Sequence, residues 1–422
     1  MSRNLDQWLQ YLESAHPKDI DLGLDRVRAV AERLDLIKPA KYVVLVAGTN
    51  GKGTTVATCG ELFRQSGFSV GVFTSPHITK YNERVSINGK QVSDAQLIDS
   101  FEAIESKRGD ISLTYFEVSA LSALYLFKQA NVEAAVLEIG LGGRLDAVNL
   151  VDPDVSIVTS IGLDHQDWLG DTLDKIGYEK AGVYRQSKPA ICGQVNPPSG
   201  LLAHANEIDA KLLIKHQDFH HQLNEQGGFD WFGVNASGER IVFNDLPLPK
   251  VPIENACTAL QAMMMLPIEW AIEDVRLALQ NVFVEGRLQA FCYQGSSGQS
   301  VSGMLDVGHN PQAAEFLLQY IPETKGRVFA VLAMLQDKNP NDVVTALKDR
   351  VDQWCFAGLQ GYRGQTAQEL MSRIDHLPHG SRDFHSVSQA MECVMEEVTC
   401  DDYVVVLGSF LTVSAAKSWL EQ

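Results

Sequence analysis

The sequence predicts an α/β protein of two domains, each built on a mostly parallel β-sheet with helices on both faces. Apolar runs such as 42–47 and 134–139 are typical of strands buried on both faces of such a sheet. Segments with helical periodicity alternate with these runs along most of the chain. The polar stretch 286–303 interrupts this pattern and predicts a domain boundary. We therefore expect an N-terminal domain at 1–296 and a smaller C-terminal domain at 297–422.

Composition narrows the class of protein. The 422 residues include 35 basic and 53 acidic side chains, a net charge of −18, and 45% are hydrophobic, which is enough for two cores. This acidic balance argues against a nucleic-acid surface, so a phosphate ligand would sit in a local pocket. Seven scattered cysteines without a CxxC pair are typical of free thiols in a reducing compartment. Without a signal-peptide core or an 18-residue apolar run, we expect a cytoplasmic monomer with no membrane partner.

The elements follow from local periodicity. In the N-terminal domain, helical spacing or β-branched runs predict helices within 1–40 and at 93–106, 115–130, 172–184, 252–266 and 270–281, and strands at 69–73, 155–161 and 190–193. Two-fold, aromatic-rich patterning at 211–250 predicts a small antiparallel insertion. In the C-terminal domain the same rules predict strands at 302–306, 327–333, 353–357 and 403–407, and helices at 311–320, 340–350, 366–375, 386–398 and 411–421.

The turn after strand 42–47 is the strongest functional motif. It reads Gly48-Thr49-Asn50-Gly51-Lys52-Gly53-Thr54-Thr55 and leads into a helical run from Val56 to Gln65. A glycine turn at a helix N-terminus aims backbone N–H groups at one point, which attracts phosphate. Lys52 adds positive charge, and Thr54 or Thr55 offers a hydroxyl to Mg²⁺. The motif predicts a P-loop ATPase-type N-terminal domain, although its spacing is tighter than the usual phosphate loop. The alternative is an ordinary strand-to-helix turn with an exposed lysine.

Polar side chains also follow other predicted strands, at the edge where α/β sheets bind ligands. They are Thr74, Ser75 and His77, then Glu138, then Asp164 and His165, and in the C-terminal domain Asp306, His309 and Asn310. A carboxylate near the end of a buried strand needs a partner, and in a nucleotide site that partner is usually Mg²⁺. The alternatives are an ion pair for Glu138 and a structural role for His165.

Several of these stretches together resemble the folylpolyglutamate synthase/dihydrofolate synthase family, which is related to the Mur ligases. The ordered motifs are Ala-Gly-Thr-Asn-Gly-Lys-Gly-Thr-Thr at 47–55, Thr-Ser-Pro-His at 74–77, Leu-Glu-Ile-Gly-Leu-Gly-Gly-Arg-Leu-Asp-Ala-Val-Asn at 137–149, Asp-His at 164–165, Glu-Lys-Ala-Gly at 179–182, Gly-Arg at 286–287 and Asp-Val-Gly-His-Asn-Pro at 306–311. The phosphate loop alone would suit a Mur ligase equally well, whereas the 137–146 stretch favours the folate branch. The resemblance implies a Rossmann-like C-terminal glutamate ligase domain.

The resemblance implies an ATP-dependent amide ligase that adds L-glutamate to dihydropteroate and to reduced folates such as tetrahydrofolate. The folate-type carboxylate would attack the γ-phosphate, and glutamate would then attack the resulting acyl phosphate. Implied ATP-binding residues are Gly48, Thr49, Asn50, Gly51, Lys52, Gly53, Thr54, Asn255, Arg287 and Asp306. Implied ligands of two Mg²⁺ ions are Thr54, Ser75, Glu138, His165 and Lys180, the last as a carbamate. Implied catalytic residues are Lys52, His165, Lys180 and His309.

Bifunctional members of the family also imply a dihydropteroate site. Its residues would be Asp21, Leu22, Thr114, Phe116, Leu145, Asp146 and Ala147. An aromatic ring offers a stacking face, and a carboxylate can accept two N–H bonds from the pterin edge. The alternatives are that Phe116 belongs to the core and that Asp146 caps a turn.

Other functions remain open at this stage. A Mur-type UDP-muramyl ligase would share the ATP chemistry, a single-function folylpolyglutamate synthase would lack the dihydropteroate reaction, and a nucleotide switch would need neither His165 nor Lys180. The chain also departs from its relatives at Glu285, where many have proline before the Gly-Arg pair. An acidic neighbour there puts the setting of Arg287 in doubt.

Overall fold

The computed structural model describes residues 3–294, 300–361 and 363–422. The chain divides into two compact units, Met1–Phe283 and Val284–Gln422. The boundary expected at 296/297 lies in 295–299, outside the described residues. The observed division comes earlier because strand Gln289–Gln294 pairs with Ser300–Asp306 and so belongs to the C-terminal sheet. No helix in the described ranges is long and apolar enough to cross a membrane.

The N-terminal unit contains ten α-helices and eleven strands among its described residues. The helices are α1 Leu5–Ser14, α2 Asp25–Arg33, α3 Lys52–Gln65, α4 Asp94–Arg108, α5 Tyr115–Gln129, α6 Gln166–Leu169, α7 Leu173–Ala181, α8 Ser199–Glu207, α9 Ile253–Met264 and α10 Ile272–Asn281. The strands are β1 Tyr42–Ala47, β2 Val70–Phe73, β3 Val85–Ile87, β4 Lys90–Gln91, β5 Ala134–Glu138, β6 Val155–Val158, β7 Pro189–Cys192, β8 Lys211–Ile214, β9 His220–Leu223, β10 Phe229–Val234 and β11 Arg240–Leu246. Short 3₁₀ turns span Tyr81–Arg84 and Ala147–Leu150.

The main sheet has eight strands in the order β4-β3-β2-β5-β1-β6-β7-β8. Every pairing is parallel except β2 with β3 and β3 with β4. Strand β1 lies between β5 and β6, and all six of its residues are buried, as its apolar run predicts. The carboxyl ends of β2, β5, β1 and β6 therefore meet at one edge of the sheet. The predicted mostly parallel α/β fold is confirmed.

The predicted antiparallel insertion is present but shorter than expected. Strands β9, β10 and β11 form a three-stranded antiparallel sheet. Residues 211–214 were expected in it, yet they form β8, which pairs in parallel with β7 in the main sheet. That assignment was wrong, because a short, half-exposed strand at a sheet edge lacks the continuous apolar run that marks a central parallel strand.

The C-terminal unit carries a second sheet in the order β12-β13-β17-β14-β15-β16. Its strands are β12 Gln289–Gln294, β13 Ser300–Asp306, β14 Val328–Leu332, β15 Gln353–Ala357, β16 Arg382–Phe384 and β17 Tyr403–Leu407. Its helices are α11 Pro311–Leu318, α12 Pro340–Leu347, α13 Ala367–Ser372, α14 Val387–Glu397 and α15 Phe410–Leu420. All strand pairs are parallel except β12 with β13. The analysis missed the edge strands β12 and β16, neither of which is fully buried.

Candidate active site

The phosphate loop connects β1 to α3 and is held by the end of β6. The Thr49 N–H donates to the Ser160 carbonyl at 2.8 Å, and the Asn50 N–H donates to Ser160 Oγ at 2.9 Å. Helix α3 begins at Lys52, four residues before the expected Val56, after Gly51 with a φ of 86°. Lys52, Gly53 and Thr54 thus form the first helical turn, and a helix N-terminus with its dipole suits an anion.

Two loop positions accept only glycine. A Cβ on Gly48 would lie 1.9 Å from Thr159 Oγ1, and one on Gly51 would lie 2.6 Å from Asn255 Oδ1. Gly48 also has a φ of +149°. Close approach by Thr159, which follows β6, explains the glycine at 48, and the left-handed φ of +86° explains the glycine at 51.

Two lysines converge on one carbonyl of the loop. Lys52 Nζ donates to the Gly48 oxygen at 3.0 Å and to the Thr49 oxygen at 3.2 Å, and Lys180 Nζ donates to the same Gly48 oxygen at 3.0 Å. Lys180 is only 4% exposed. Burial and the charge of Lys52 lower its pKa to about 7, although Asp164 and Asp146 act in the opposite direction. The Lys180 amine is therefore readily deprotonated near neutral pH.

Oxygen-bearing side chains gather near the first turn of α3. Thr54 Oγ1 donates to the Gly51 carbonyl and accepts from Asn255 Nδ2 at 2.8 Å. The Ser75 N–H donates to Glu138 Oε2 at 3.2 Å, and a Cβ on Gly53 would lie 3.7 Å from that same oxygen. Glu138 is buried at the end of β5. Hydroxyl and carboxylate oxygens of this kind are the donors that Mg²⁺ prefers.

His165 is more exposed than Thr54 and Glu138. It precedes α6 with a left-handed φ of 50°, and its Nε2 lies 3.8 Å from Asp164 Oδ2. Its side chain is 40% exposed. In the described part of the chain, no group of three His, Cys, Asp or Glu residues is arranged to hold a metal ion. The predicted ligand set differs from such a group because it relies on hydroxyls and a lysine.

A cavity of about 270 Å³ lies in the N-terminal unit. Ser75 and His165 line it, and so do all seven predicted dihydropteroate residues: Asp21, Leu22, Thr114, Phe116, Leu145, Asp146 and Ala147. These residues come from the early loop, the start of α5 and the turn after β5. Two of the five predicted metal ligands and all seven predicted folate-binding residues thus line one cavity, whereas Thr54, Glu138 and Lys180 are not among its lining residues.

Asp146 caps a turn and also lies in the wall of the cavity. Its carboxylate accepts N–H bonds from Leu141 at 2.8 Å and from Val148 at 2.9 Å, and so caps the turn Ala147–Leu150. It also lines the cavity. Burial raises its pKa to about 7, against the backbone hydrogen bonds and the charge of Lys52. The capping bonds fix where the carboxylate points, which suits a recognition group.

Phe116 also combines packing with exposure to the cavity. A Cβ on Gly140 would lie 2.4 Å from Phe116 Cζ, and the Phe73 ring centroid is 6.1 Å from that of Phe116. The remaining ring surface lines the cavity. The ring is therefore held in place for stacking.

The sequence analysis missed three residues of this region. Arg26 pairs with Asp21 at 2.7 Å and with Glu117 at 3.2 Å, and so ties the early loop to α5. Glu117 lines the cavity and completes a capping box with Thr114. The Thr-x-x-Glu spacing before an apolar run could have identified it. Arg84 also lines the cavity, but no sequence motif marks it.

The C-terminal unit gathers its own predicted residues. Asp306 is buried and accepts N–H bonds from Leu288 at 2.9 Å and Gly308 at 2.7 Å. Burial raises its pKa, and the charge of Arg287 opposes that shift. His309 Nδ1 lies 2.9 Å from the Val307 carbonyl.

The departure at Glu285 has a local explanation. Glu285 pairs with Lys417 of α15, while the Arg287 guanidinium lies 5.6 Å over the Phe410 ring. Lys417 therefore balances the charge of Glu285.

Comparison with known proteins identifies the class. Residues 46–223 match the Mur ligase middle domain, and residues 286–410 match the Mur ligase, glutamate ligase domain. These ATP-dependent ligases have a nucleotide-binding domain with a mostly parallel sheet, followed by a ligase domain with a second sheet. The fold of this chain matches that architecture.

Individual relatives define the branch. The chain is 45% identical over 413 residues to the dihydrofolate synthase/folylpolyglutamate synthase of Escherichia coli, covering 97% of this chain and 94% of that protein. The structure of E. coli FolC in complex with DHPP and ADP matches with a TM-score of 0.93 at 42% identity, over 100% of this chain and 98% of the other. A bifunctional folylpolyglutamate synthase/dihydrofolate synthase with Mn, AMPPNP and L-glutamate bound gives 0.91 at 42% identity, over 100% and 99%. The chain belongs to the dihydrofolate synthase/folylpolyglutamate synthase family.

The fit of Gly48 against Thr159 gives a first prediction. Gly48→Ala should lower the free energy of unfolding by about 2–4 kcal/mol, because the added Cβ meets Thr159 and the backbone is strained for alanine. Urea unfolding measures the change. Gly23→Ala is the matched control: its φ of +151° is similar, but a Cβ there meets nothing within 4 Å. Equal losses in the two variants would show that the contact with Thr159 contributes nothing.

Proposed function

We propose that this chain uses ATP to add L-glutamate to dihydropteroate, forming dihydrofolate, and to reduced folates, forming polyglutamates. The observation that carries the proposal is the 270 Å³ cavity, which is lined by an aromatic ring and buried polar groups and also by Ser75 and His165. This arrangement suits a substrate whose ring system is held while its carboxylate faces the phosphate chemistry. The bound ADP, AMPPNP, DHPP and L-glutamate of the related enzymes support the same choice of ligands.

The reaction follows the acyl phosphate route. A carboxylate oxygen of the folate substrate attacks the γ-phosphorus of ATP, and ADP leaves. The amino nitrogen of L-glutamate then attacks the acyl carbon, the tetrahedral intermediate expels phosphate, and the nitrogen loses a proton. Because anions must approach one another in the first step, catalysis depends mainly on positioning and on nearby positive charge.

The phosphate loop is assigned to the nucleotide. The first turn of α3, which begins at Lys52, would face the phosphates, since the Thr49 and Asn50 N–H groups are already bound to Ser160, and Lys52 can exchange its two carbonyl bonds for phosphate oxygens. Asn255 fixes Thr54 through its hydrogen bond. In the C-terminal unit, Arg287 and Asp306 keep the nucleotide-binding role, and His309 the catalytic role, that the resemblance implies.

The residues near α3 fit divalent metal. Thr54, Ser75 and Glu138 supply hard oxygen donors, and His165 with a carbamate on Lys180 would complete a second site. Two Mg²⁺ ions bound there would screen the charges of nucleophile and leaving group. The buried Lys180 suits carbamate formation because its neutral amine can attack CO₂ and release a proton, turning a cation into an oxygen donor.

The proposal also includes the cellular location and the oligomeric state of the protein. The seven cysteines are all free, in keeping with a reducing compartment, so we assign the chain to the cytoplasm. We expect a monomer that binds only small molecules.

Lys52→Ala and substrate choice together test the function. Wild-type protein should release ADP from ATP, Mg²⁺ and L-glutamate when dihydropteroate or tetrahydrofolate is supplied, and not with a UDP-muramyl precursor. Lys52→Ala should lower this rate at least 100-fold, since the loop loses its positive charge at the phosphates. Lys90→Ala removes an exposed lysine of β4 and serves as the control. Activity with the UDP-muramyl precursor alone would instead assign the chain to the Mur-type ligases.

The carbamate has a direct spectroscopic test. Protein equilibrated with ¹³C-bicarbonate should show a carbamate carbonyl resonance by NMR that is absent from Lys180→Ala. That variant should lose turnover, and short carboxylates such as formate should restore part of it. Lys175→Ala, on the same helix but exposed, is the control and should retain both the resonance and the rate. An unchanged resonance in Lys180→Ala would refute the modification.

Asp146 should separate the two reactions. Asp146→Asn keeps one acceptor oxygen, which can still cap the turn through the Val148 N–H, but loses the second acceptor oxygen and the charge proposed to accept the pterin N–H bonds. We expect kcat/KM for dihydropteroate to fall about 10- to 100-fold, and that for tetrahydrofolate to fall less. Asp146→Ala should add a loss of stability because the cap is also removed. Equal kinetic losses with both substrates would contradict a dedicated dihydropteroate role.

A further inference from the structure

Arg84 lies in the cavity wall with its side chain fixed in three ways. The residue is 8% exposed and ends the turn Tyr81–Arg84. Its Nε donates to His77 Nδ1 at 2.9 Å, so that this imidazole nitrogen is the acceptor. Its guanidinium carbon lies 5.3 Å from the Tyr81 ring centroid and 5.5 Å from that of Tyr115. These contacts use Nε and place the guanidinium carbon over two rings; none of them is a hydrogen bond from the terminal N–H groups, which can bind something else.

The charge around Arg84 is unbalanced. Among the described residues that line the cavity, Arg84 is the only lysine or arginine. Four carboxylates line the same cavity, those of Asp19, Asp21, Glu117 and Asp146. Asp21 and Glu117 are already paired with Arg26. Across residues 3–294, 300–361 and 363–422, no carboxylate lies within ion-pair distance of Arg84, whereas a buried cation normally has a counter-ion. An anionic group of a ligand would supply it.

The two proposed substrates differ in the anions they bring. Dihydropteroate has one carboxylate, which reacts, whereas tetrahydrofolate has a reacting γ-carboxylate and an α-carboxylate that does not react. A guanidinium binds both oxygens of a carboxylate through two parallel hydrogen bonds. That arrangement suits an anchor better than a nucleophile, since an attacking oxygen needs a free lone pair.

We infer that Arg84 is the subsite for the α-carboxylate of the glutamyl arm of reduced folates. This rests on the proposed function and deepens it by naming the group that distinguishes the second reaction from the first. Arg84 holds the glutamyl arm by the carboxylate that does not react. His77 is a positioning residue: its Nδ1 accepts from Arg84 Nε and so keeps the guanidinium oriented.

The test removes each partner in turn. Tetrahydrofolate is compared with tetrahydropteroyl-γ-aminobutyrate, which keeps the γ-carboxylate and lacks the α-carboxylate. Wild-type protein should show a KM about 10- to 100-fold lower for tetrahydrofolate than for this analogue. In Arg84→Gln the two KM values should become equal within a few-fold. Arg84→Lys keeps the charge but not the bidentate geometry, so its ratio of the two KM values should lie between those of wild type and Arg84→Gln. This variant provides the test if Arg84→Gln does not fold.

A control variant and two contrary results separate this inference from a structural role of Arg84 and from failure of the proposed function. Lys90→Gln removes one positive charge from an exposed site in the hairpin that follows Arg84, and should leave the KM ratio at its wild-type value. If Arg84→Gln and Arg84→Lys weaken both substrates by the same factor, Arg84 is a structural partner of Tyr81 and Tyr115, and the inference is overturned. A wild-type protein that turns over neither dihydropteroate, tetrahydrofolate nor the analogue would instead overturn the proposed function.

Discussion

Positive charge concentrated at the end of β1 is the constraint on which the site depends. Two lysine side chains, from α3 and α7, donate to the single carbonyl of Gly48. Like charges this close are tolerated only when one is neutralised or an anion is supplied, and burial already lowers the pKa of Lys180 to about 7. A triphosphate and a carbamate would each relieve this repulsion. The same electrostatic requirement thus accounts for nucleotide binding and for the chemistry assigned to Lys180.

The parallel sheet is what makes this concentration feasible. Because β1 lies between β5 and β6, the phosphate loop, Glu138 and Ser160 all lie at the edge formed by the carboxyl ends of these strands. The early helices and α5 then close the cavity beside it, held together by the pairs that Arg26 makes with Asp21 and Glu117. The sheet carries the groups that we propose to react, and polar contacts at loop and helix ends shape the cavity beside them.

The parallel fold and much of the candidate site could be predicted from the sequence. Lys52, Glu138 and the residues of the 137–149 stretch follow buried strands, so that local pattern and position in the sheet coincide. Arg84 could not be predicted, since its place depends on a 3₁₀ turn without a motif and on rings from two different elements. The edge strands β12 and β16 were not predicted for a related reason. An edge strand forms because a neighbouring strand pairs with it, and the sequence of the segment alone does not encode that pairing.

The capping role of Thr114, Glu117 and Asp146 has a consequence for redesigning the cavity. These polar wall residues hold the ends of α5 and of the turn Ala147–Leu150, so that changing them alters shape and folding together. Leu22 and Leu145 line the same space without such bonds from their side chains. Size changes at these two leucines would therefore alter the volume of the cavity without removing a cap, while the backbone that carries the phosphate loop stays as it is.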